Sequence, residues 1–214
     1  MKTYYVRRGH PHIQPIGASF SVTLLTHDAI PEGELTALRK EKEMELAIMF
    51  NEGYSVTEIQ EVQDRYRHAI DQLLIQKGNQ EYPLRRKLVA EVIMERLLHY
   101  DGRYYELLVA CIMPNHIHIL FDFSIQVPED WDGDSDLPKY RNVNFVVGQI
   151  KGSSATLVNK KFDRQGRLWR PGYYDRYIRN EQHLENEKNY ILRNPSKANL
   201  ARRWREYPFT YLKT

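Results

Sequence analysis

The stretch that most constrains the fold is Val109-Ala110-Cys111-Ile112-Met113-Pro114-Asn115-His116-Ile117-His118-Ile119-Leu120-Phe121-Asp122-Phe123, two apolar runs separated by a proline-asparagine break. Short apolar runs bounded by a turn signal read as buried strands. Tyr104 to Met113 and the segment from His116 are therefore expected to be antiparallel neighbours, turning at Pro114-Asn115. Successive side chains on a strand point to opposite faces, so His116 and His118 share one face while Ile117, Ile119 and Phe121 share the other. Two imidazoles side by side can hold a metal ion. The blander reading is a half-exposed polar stripe, because complete metal signatures need more than two ligands.

A chain of 214 residues suits one well-buried domain rather than two large ones, and a single domain, 1–214, is expected. No apolar run approaches the length that spans a membrane. Met1 to Arg8 lacks the apolar core of a signal peptide, and the single cysteine, Cys111, excludes an internal disulfide. Both observations fit a reducing cytoplasm. The net charge of +3 is unevenly spread: residues 151–214 carry 15 Lys and Arg against 6 Asp and Glu, so the remainder is net acidic. A basic third interleaved with Trp169, Tyr173, Tyr174, Tyr177, Tyr190, Trp204 and Tyr207 has the composition of a surface that grips phosphates and stacks bases. The alternative is a solvated basic face over core aromatics.

In chain order, a basic arm ends in His10-Pro11-His12, read as arm residues. Ala18 to Thr26 alternates Phe20, Val22 and Leu24 with Ser19, Ser21 and Thr23, as a strand with one buried face does. Charged helices are expected over 34–50, with Leu35, Leu38, Leu46, Ile48 and Met49 apolar, and over about 57–76, with Ile59, Val62, Tyr66, Ile70 and Leu73 on one side. Together they form a helical insertion at about 28–80 in which no chemistry is identifiable. After Pro83 another helix is expected to bury Leu84, Leu88, Val92 and Leu97 or Leu98 and to end at Asp101-Gly102. Residues 126–139, with five acids and two prolines, read as an exposed loop. Val143, Val146, Val147, Ile150, Ser154, Leu157 and Val158 recur at helical spacing between 140 and 161. Arg167 to Ile178 reads as the last strand. A final helix follows, capped by Asn180, running from Glu181 to Arg193 and ended by Asn194-Pro195.

On that last helix Glu187, Tyr190 and Asn194 share a face, with His183 four residues before Glu187. One reading is a nucleophilic oxygen and a metal-binding oxygen in one cleft; the other is a core tyrosine beside an asparagine that caps the helix end. Three segments in order bear on the choice: Met113-Pro114-Asn115-His116-Ile117-His118-Ile119-Leu120, then Leu168-Trp169-Arg170-Pro171-Gly172-Tyr173-Tyr174-Asp175-Arg176-Tyr177-Ile178-Arg179, then Tyr190-Ile191-Leu192-Arg193-Asn194-Pro195. This combination resembles the insertion-sequence-200-like transposases, and most closely the REP-associated tyrosine transposases within the single-tyrosine HUH endonuclease superfamily. The resemblance covers the first strand and about Leu84 to Pro208, including Trp204-x-x-Tyr207-Pro208-Phe209. It does not cover residues 28–80 or the length of the 124–139 loop.

The resemblance implies that His116 and His118 bind a divalent metal, that Tyr190 is the nucleophile, and that Asn194 stands where relatives place a polar third ligand, often glutamine. It implies magnesium or manganese, although two imidazoles and an amide suit manganese or zinc better than magnesium. An ordinary phenol, with a pKa of about 10, is barely ionised at neutral pH, so the site must assist its deprotonation; Lys188 and Arg193 are cations close in sequence. The implied fold is α+β: a ferredoxin-like antiparallel sheet with helices on one face, histidines on the other, the Tyr190 helix across them, and a helical insertion after the first strand. The implied activity is cleavage and rejoining of single-stranded or hairpin DNA. Lys151, Arg170, Arg176, Arg179, Arg202 and Arg203 are candidate phosphate contacts, each otherwise plain surface charge. Relatives include dimers that exchange tyrosines and forms that look monomeric, and a monomer is expected here. Two other classes are a non-catalytic DNA or RNA hairpin binder and a structural zinc protein, the latter disfavoured because no cysteine pair accompanies the histidines.

Overall fold

Alternating and doubly apolar segments become strands, and segments with apolar residues three and four apart become helices. The computed structural model describes residues 2–7, 10–52, 56–78, 82–133 and 135–214. In chain order the elements are β1 (Lys2–Arg7), β2 (His10–Pro15), β3 (Ser19–Leu25), α1 (Glu32–Glu52), α2 (Val56–Lys77), α3 (Lys87–Tyr100), β4 (Glu106–Ile112), β5 (His116–Asp122), α4 (Val143–Lys161), β6 (Tyr174–Tyr177), α5 (Glu181–Lys197) and β7 (Thr210–Leu212).

The protein is α+β, built on a five-stranded sheet in the order β6-β3-β5-β4-β7 in which every pair is antiparallel. Leaving aside the insertion and β7, the run β3-α3-β4-β5-α4-β6 with that strand order is the ferredoxin-like β-α-β-β-α-β arrangement. β4 and β5 pair across Pro114-Asn115, as their sequence implies, and β5 takes the central position. On one face Phe20, Val22, Leu24, Ile117, Ile119 and Phe121 pack against Val89, Val92, Ile93 and Leu97 of α3 and Val146, Val147 and Ile150 of α4. On the other, Val109, Cys111, Met113 and Leu120 meet Ile191 and Leu192 of α5. A register shift between Leu107 and Val109 puts these two residues, two apart in sequence, in cores on opposite faces.

Several local expectations are corrected. The N-terminal arm is a hairpin of β1 and β2, although the side chains of His10 and His12, like that of Ile59, lie outside the described residues. α3 buries Val89, Ala90, Val92, Ile93 and Leu97, while Leu88 is 52% and Leu98 43% exposed; the buried stripe is set by packing on α4 and the sheet. Ile48 of α1 is likewise exposed. The strand at 174–177 is not the last, because β7 adds to the free edge of β4. Finally, α5 runs through Pro195 to Lys197. Proline's fixed φ suits a helix, and because Pro195 lies two residues from the end of α5, the bond it cannot donate to the Ile191 carbonyl and the crowding of its ring there fall in the last turn.

Ile119→Ala, in a fully buried position beneath α3 and α4, is expected to cost about 2–5 kcal/mol. Leu88→Ala is expected to cost under about 0.5 kcal/mol, as exposed positions do. Urea unfolding of both variants checks the assignment of the α3 faces.

Candidate active site

Because β5 is central, with both faces covered, its histidines are each only 1% exposed. Buried polar groups need partners, and each ring has one at its inner nitrogen. The Asn115 side-chain amide donates to the Leu74 carbonyl of α2 at 2.9 Å, which leaves its oxygen facing His116 Nδ1 at 2.7 Å. That oxygen can only accept, so His116 Nδ1 is the protonated nitrogen and Nε2 carries the lone pair. His118 Nδ1 lies 3.0 Å from the Thr23 hydroxyl, directly across the β3–β5 ladder. The two Nε2 atoms face each other at 3.0 Å. Holding Nδ1 so that Nε2 converges on a point is how proteins orient imidazole ligands.

α5 delivers Tyr190 to the same place, its ring centroid 5.8 Å from that of His118. The phenol hydroxyl donates to Asp71 Oδ2 on α2. The other carboxylate oxygen, Oδ1, is buried, has no hydrogen-bond partner and lies 3.8 Å from His118 Nε2. The Arg67 guanidinium, one turn earlier on α2, lies 4.7 Å from the Tyr190 ring centre, and Lys197 Nζ lies 4.6 Å from it. These two, rather than Lys188 and Arg193, supply positive charge to the phenol. Lys188 is paired with Glu185 at 2.7 Å, and Arg193 is exposed.

Glu187, on the Tyr190 face of α5, is 2% exposed and anchors α2. It accepts two bonds from Arg67, at 2.6 and 3.1 Å, one from the Ser21 hydroxyl at 2.7 Å and a longer one from Arg176 at 3.4 Å; Arg176 also pairs with Asp64 of α2. The insertion, in which the sequence shows no chemistry, is thus part of the site. Asp71 and Arg67 gave no local signal: they are polar positions on an amphipathic helix, and only docking on the histidine face distinguishes them.

Comparison with known proteins gives one curated relative, from Haemophilus influenzae, named provisionally as a REP-associated tyrosine transposase, 27% identical over 112 residues. The match covers 52% of this chain and 60% of that relative's own length. Over about half its length, then, this chain is similar to a protein of that name. A solved structure described as such a transposase bound to a REP hairpin aligns with a TM-score of 0.49 at 13% identity, covering 95% of this chain and 82% of that one. No family model matches the chain. No helix among the described residues is long and apolar enough to cross a membrane.

Of the residues the transposase resemblance singled out, His116, His118 and Tyr190 come together. Asn194 is 1% exposed and its amide donates to the Tyr190 carbonyl at 2.9 Å, within the helix. The expected phosphate contacts divide. Lys151 donates to the Arg170 and Gly172 carbonyls at 2.5 and 2.7 Å, and Arg170 donates to the Ile30 carbonyl at 2.7 Å and pairs with Glu32. With Arg176 tied to Glu187 and Asp64, these three hold protein segments together, because each lies where a loop or helix crosses another. Arg179, Arg202 and Arg203 are exposed.

Burial dominates the electrostatics. It drives the His116 imidazole well below its usual range, helped by His118, and brings His118 down to about 3, with Arg67 and Lys197 adding to the effect. Both rings are therefore neutral near pH 7, the form that ligates metals. Burial pushes Glu187 up, but Arg67 and its other donors outweigh this and hold it below the usual carboxylate range. Asp71 has no such compensation: burial raises it to about 7, against the pull of Arg67. Among the described residues no three histidine, cysteine or carboxylate side chains already stand close enough around one point to hold a metal ion. The two converging imidazoles and the orphaned Asp71 oxygen are nonetheless a donor set that fits a divalent cation.

An ordinary aspartate at 3.8 in the unfolded chain, raised to about 7 when folded, leaves the native state holding the extra proton between those values. Stability is then lost as pH rises through about 7. In chelator-treated protein, Asp71→Asn is expected to raise the melting temperature at pH 8 by more than at pH 5, reflecting a few kcal/mol. Thermal melts at both pH values check this, and equal shifts would refute it.

Proposed function

We propose that the chain is a metal-dependent endonuclease and strand transferase for single-stranded, hairpin-associated DNA, acting through a covalent phosphotyrosine on Tyr190. The observation that carries the reading is the meeting of the Tyr190 phenol with the paired His116 and His118 nitrogens in one buried site. The name of the curated relative points the same way.

His116 and His118 would hold magnesium or manganese, with Asn194 as a further polar group from the Tyr190 helix, and the ion would polarise a phosphate oxygen. The Tyr190 oxygen attacks phosphorus, the bond to the 3′ oxygen breaks, and that oxygen leaves as a 3′-hydroxyl after taking up a proton. Asp71, already accepting the phenolic hydrogen bond, stands where the phenol's proton must go. Arg67 and Lys197 place positive charge where negative charge develops. Because the phosphotyrosine retains the ester, a 3′-hydroxyl can reverse the step and join strands without a nucleotide cofactor. With the histidines 1% exposed beneath α2, that helix must shift for a phosphate to enter. A single-stranded segment suits a site that takes one backbone at a time, and Arg179, Arg202 and Arg203 remain free to meet it. Tyr190 reaches the histidines of its own chain, which supports a monomer.

Incubation with labelled hairpin DNA bearing a single-stranded foot, in manganese, is expected to give a denaturation-resistant adduct that Tyr190→Phe abolishes. Binding with no adduct under any divalent metal would replace this reading with that of a non-catalytic hairpin binder.

A further inference from the structure

We infer that Asp71, carried by the insertion helix α2, is the oxygen ligand that completes the metal site formed by His116 and His118. The inference rests on the metal-dependent reading above and deepens it. Two imidazoles alone hold a hard divalent ion weakly, and magnesium and manganese favour anionic oxygen. Asp71 is 4% exposed, and of its two oxygens one is occupied by the Tyr190 hydroxyl while Oδ1 has no partner. A buried carboxylate oxygen left without a donor is costly. Here it lies 3.8 Å from His118 Nε2, which is itself 3.0 Å from His116 Nε2.

Ligand atoms about 2.1 Å from one ion stand about 3.0–3.4 Å apart, for right-angled to tetrahedral geometries. The imidazole pair already meets this spacing, and Oδ1 reaches it by a small inward movement. No hydrogen bond to Oδ1 opposes that movement. Asn194, the other candidate, uses its amide nitrogen inside the helix and carries no charge.

The same helix fixes the ligand beside it. Leu74, three residues beyond Asp71, accepts the bond from Asn115 that sets the His116 tautomer. Asp71 would thus join nucleophile and ion through one carboxylate, Oδ2 on the phenol and Oδ1 on the metal. Docking of α2 and assembly of the metal site become a single event.

The test uses the full chain, stripped with chelator and titrated calorimetrically with manganese alone, in wild type, His116→Ala, Asp71→Asn and Asp71→Ala. The expected result is one bound ion in wild type and at least about 10-fold weaker binding in all three variants. A folding defect is separated by melting curves: the same manganese concentration should raise the wild-type melting temperature by more than that of Asp71→Asn, although the chelated variant melts no lower than wild type. Wild-type affinity in both Asp71 variants, with binding lost in His116→Ala, overturns the role of Asp71 and leaves the histidine site standing. Absence of binding in wild type, or its retention in His116→Ala, overturns the metal reading itself and this inference with it.

Discussion

The burial of two imidazoles in the middle of a sheet governs the rest of this structure. β5 is the central strand, and its polar face is covered by α2 and α5 instead of water, so the cover must satisfy the rings. Thr23 does so from the neighbouring strand and Asn115 from the turn, and Asn115 is itself held by a carbonyl of α2. One side of each ring is thereby fixed to the scaffold, and on the other side the two Nε2 atoms face each other, with Asp71 of α2 and Tyr190 of α5 beside His118.

That closure depends on charge as much as on apolar contact. The apolar core on this face comes from β4, β5 and α5, whereas α2 reaches the site through Arg67, Asp71 and Asp64 and shares a separate apolar cluster, through Ile70 and Leu74, with Leu25, Ala29 and Ile30. A buried ion pair contributes little net stability relative to an apolar contact, yet removing one partner leaves an uncompensated charge that costs several kcal/mol. The Arg67–Glu187 pair therefore acts mainly to fix position: α2 has few ways to sit on α5 that keep Glu187 paired.

The sheet was legible because its signals are local. Phe20, Val22 and Leu24 alternate, the 109–123 run breaks at Pro114, and His116 and His118 are two apart, so faces follow from period alone. Tyr190 and Glu187 could be placed on one side of a helix by the same reasoning. The stripe of α3 was less legible, since Leu88 and Val89 are both apolar and only the position of α4 decides which of them is buried. The site's second half was not legible at all: Asp71 and Arg67 look like solvent-facing residues of an insertion until α2 is laid across β5.

The amino-acid order by itself determined strands β3 to β6, the helices, the shared face of the histidines and the side of α5 that carries Tyr190, because backbone period and turn chemistry act over a few residues. Only the tertiary structure decided that α2 covers the histidines, that Glu187 is held by an arginine 120 positions away, and that the Tyr190 hydroxyl meets Asp71. Such pairings are chosen by burial and charge compensation between surfaces that have no fixed relation until the chain has closed on itself.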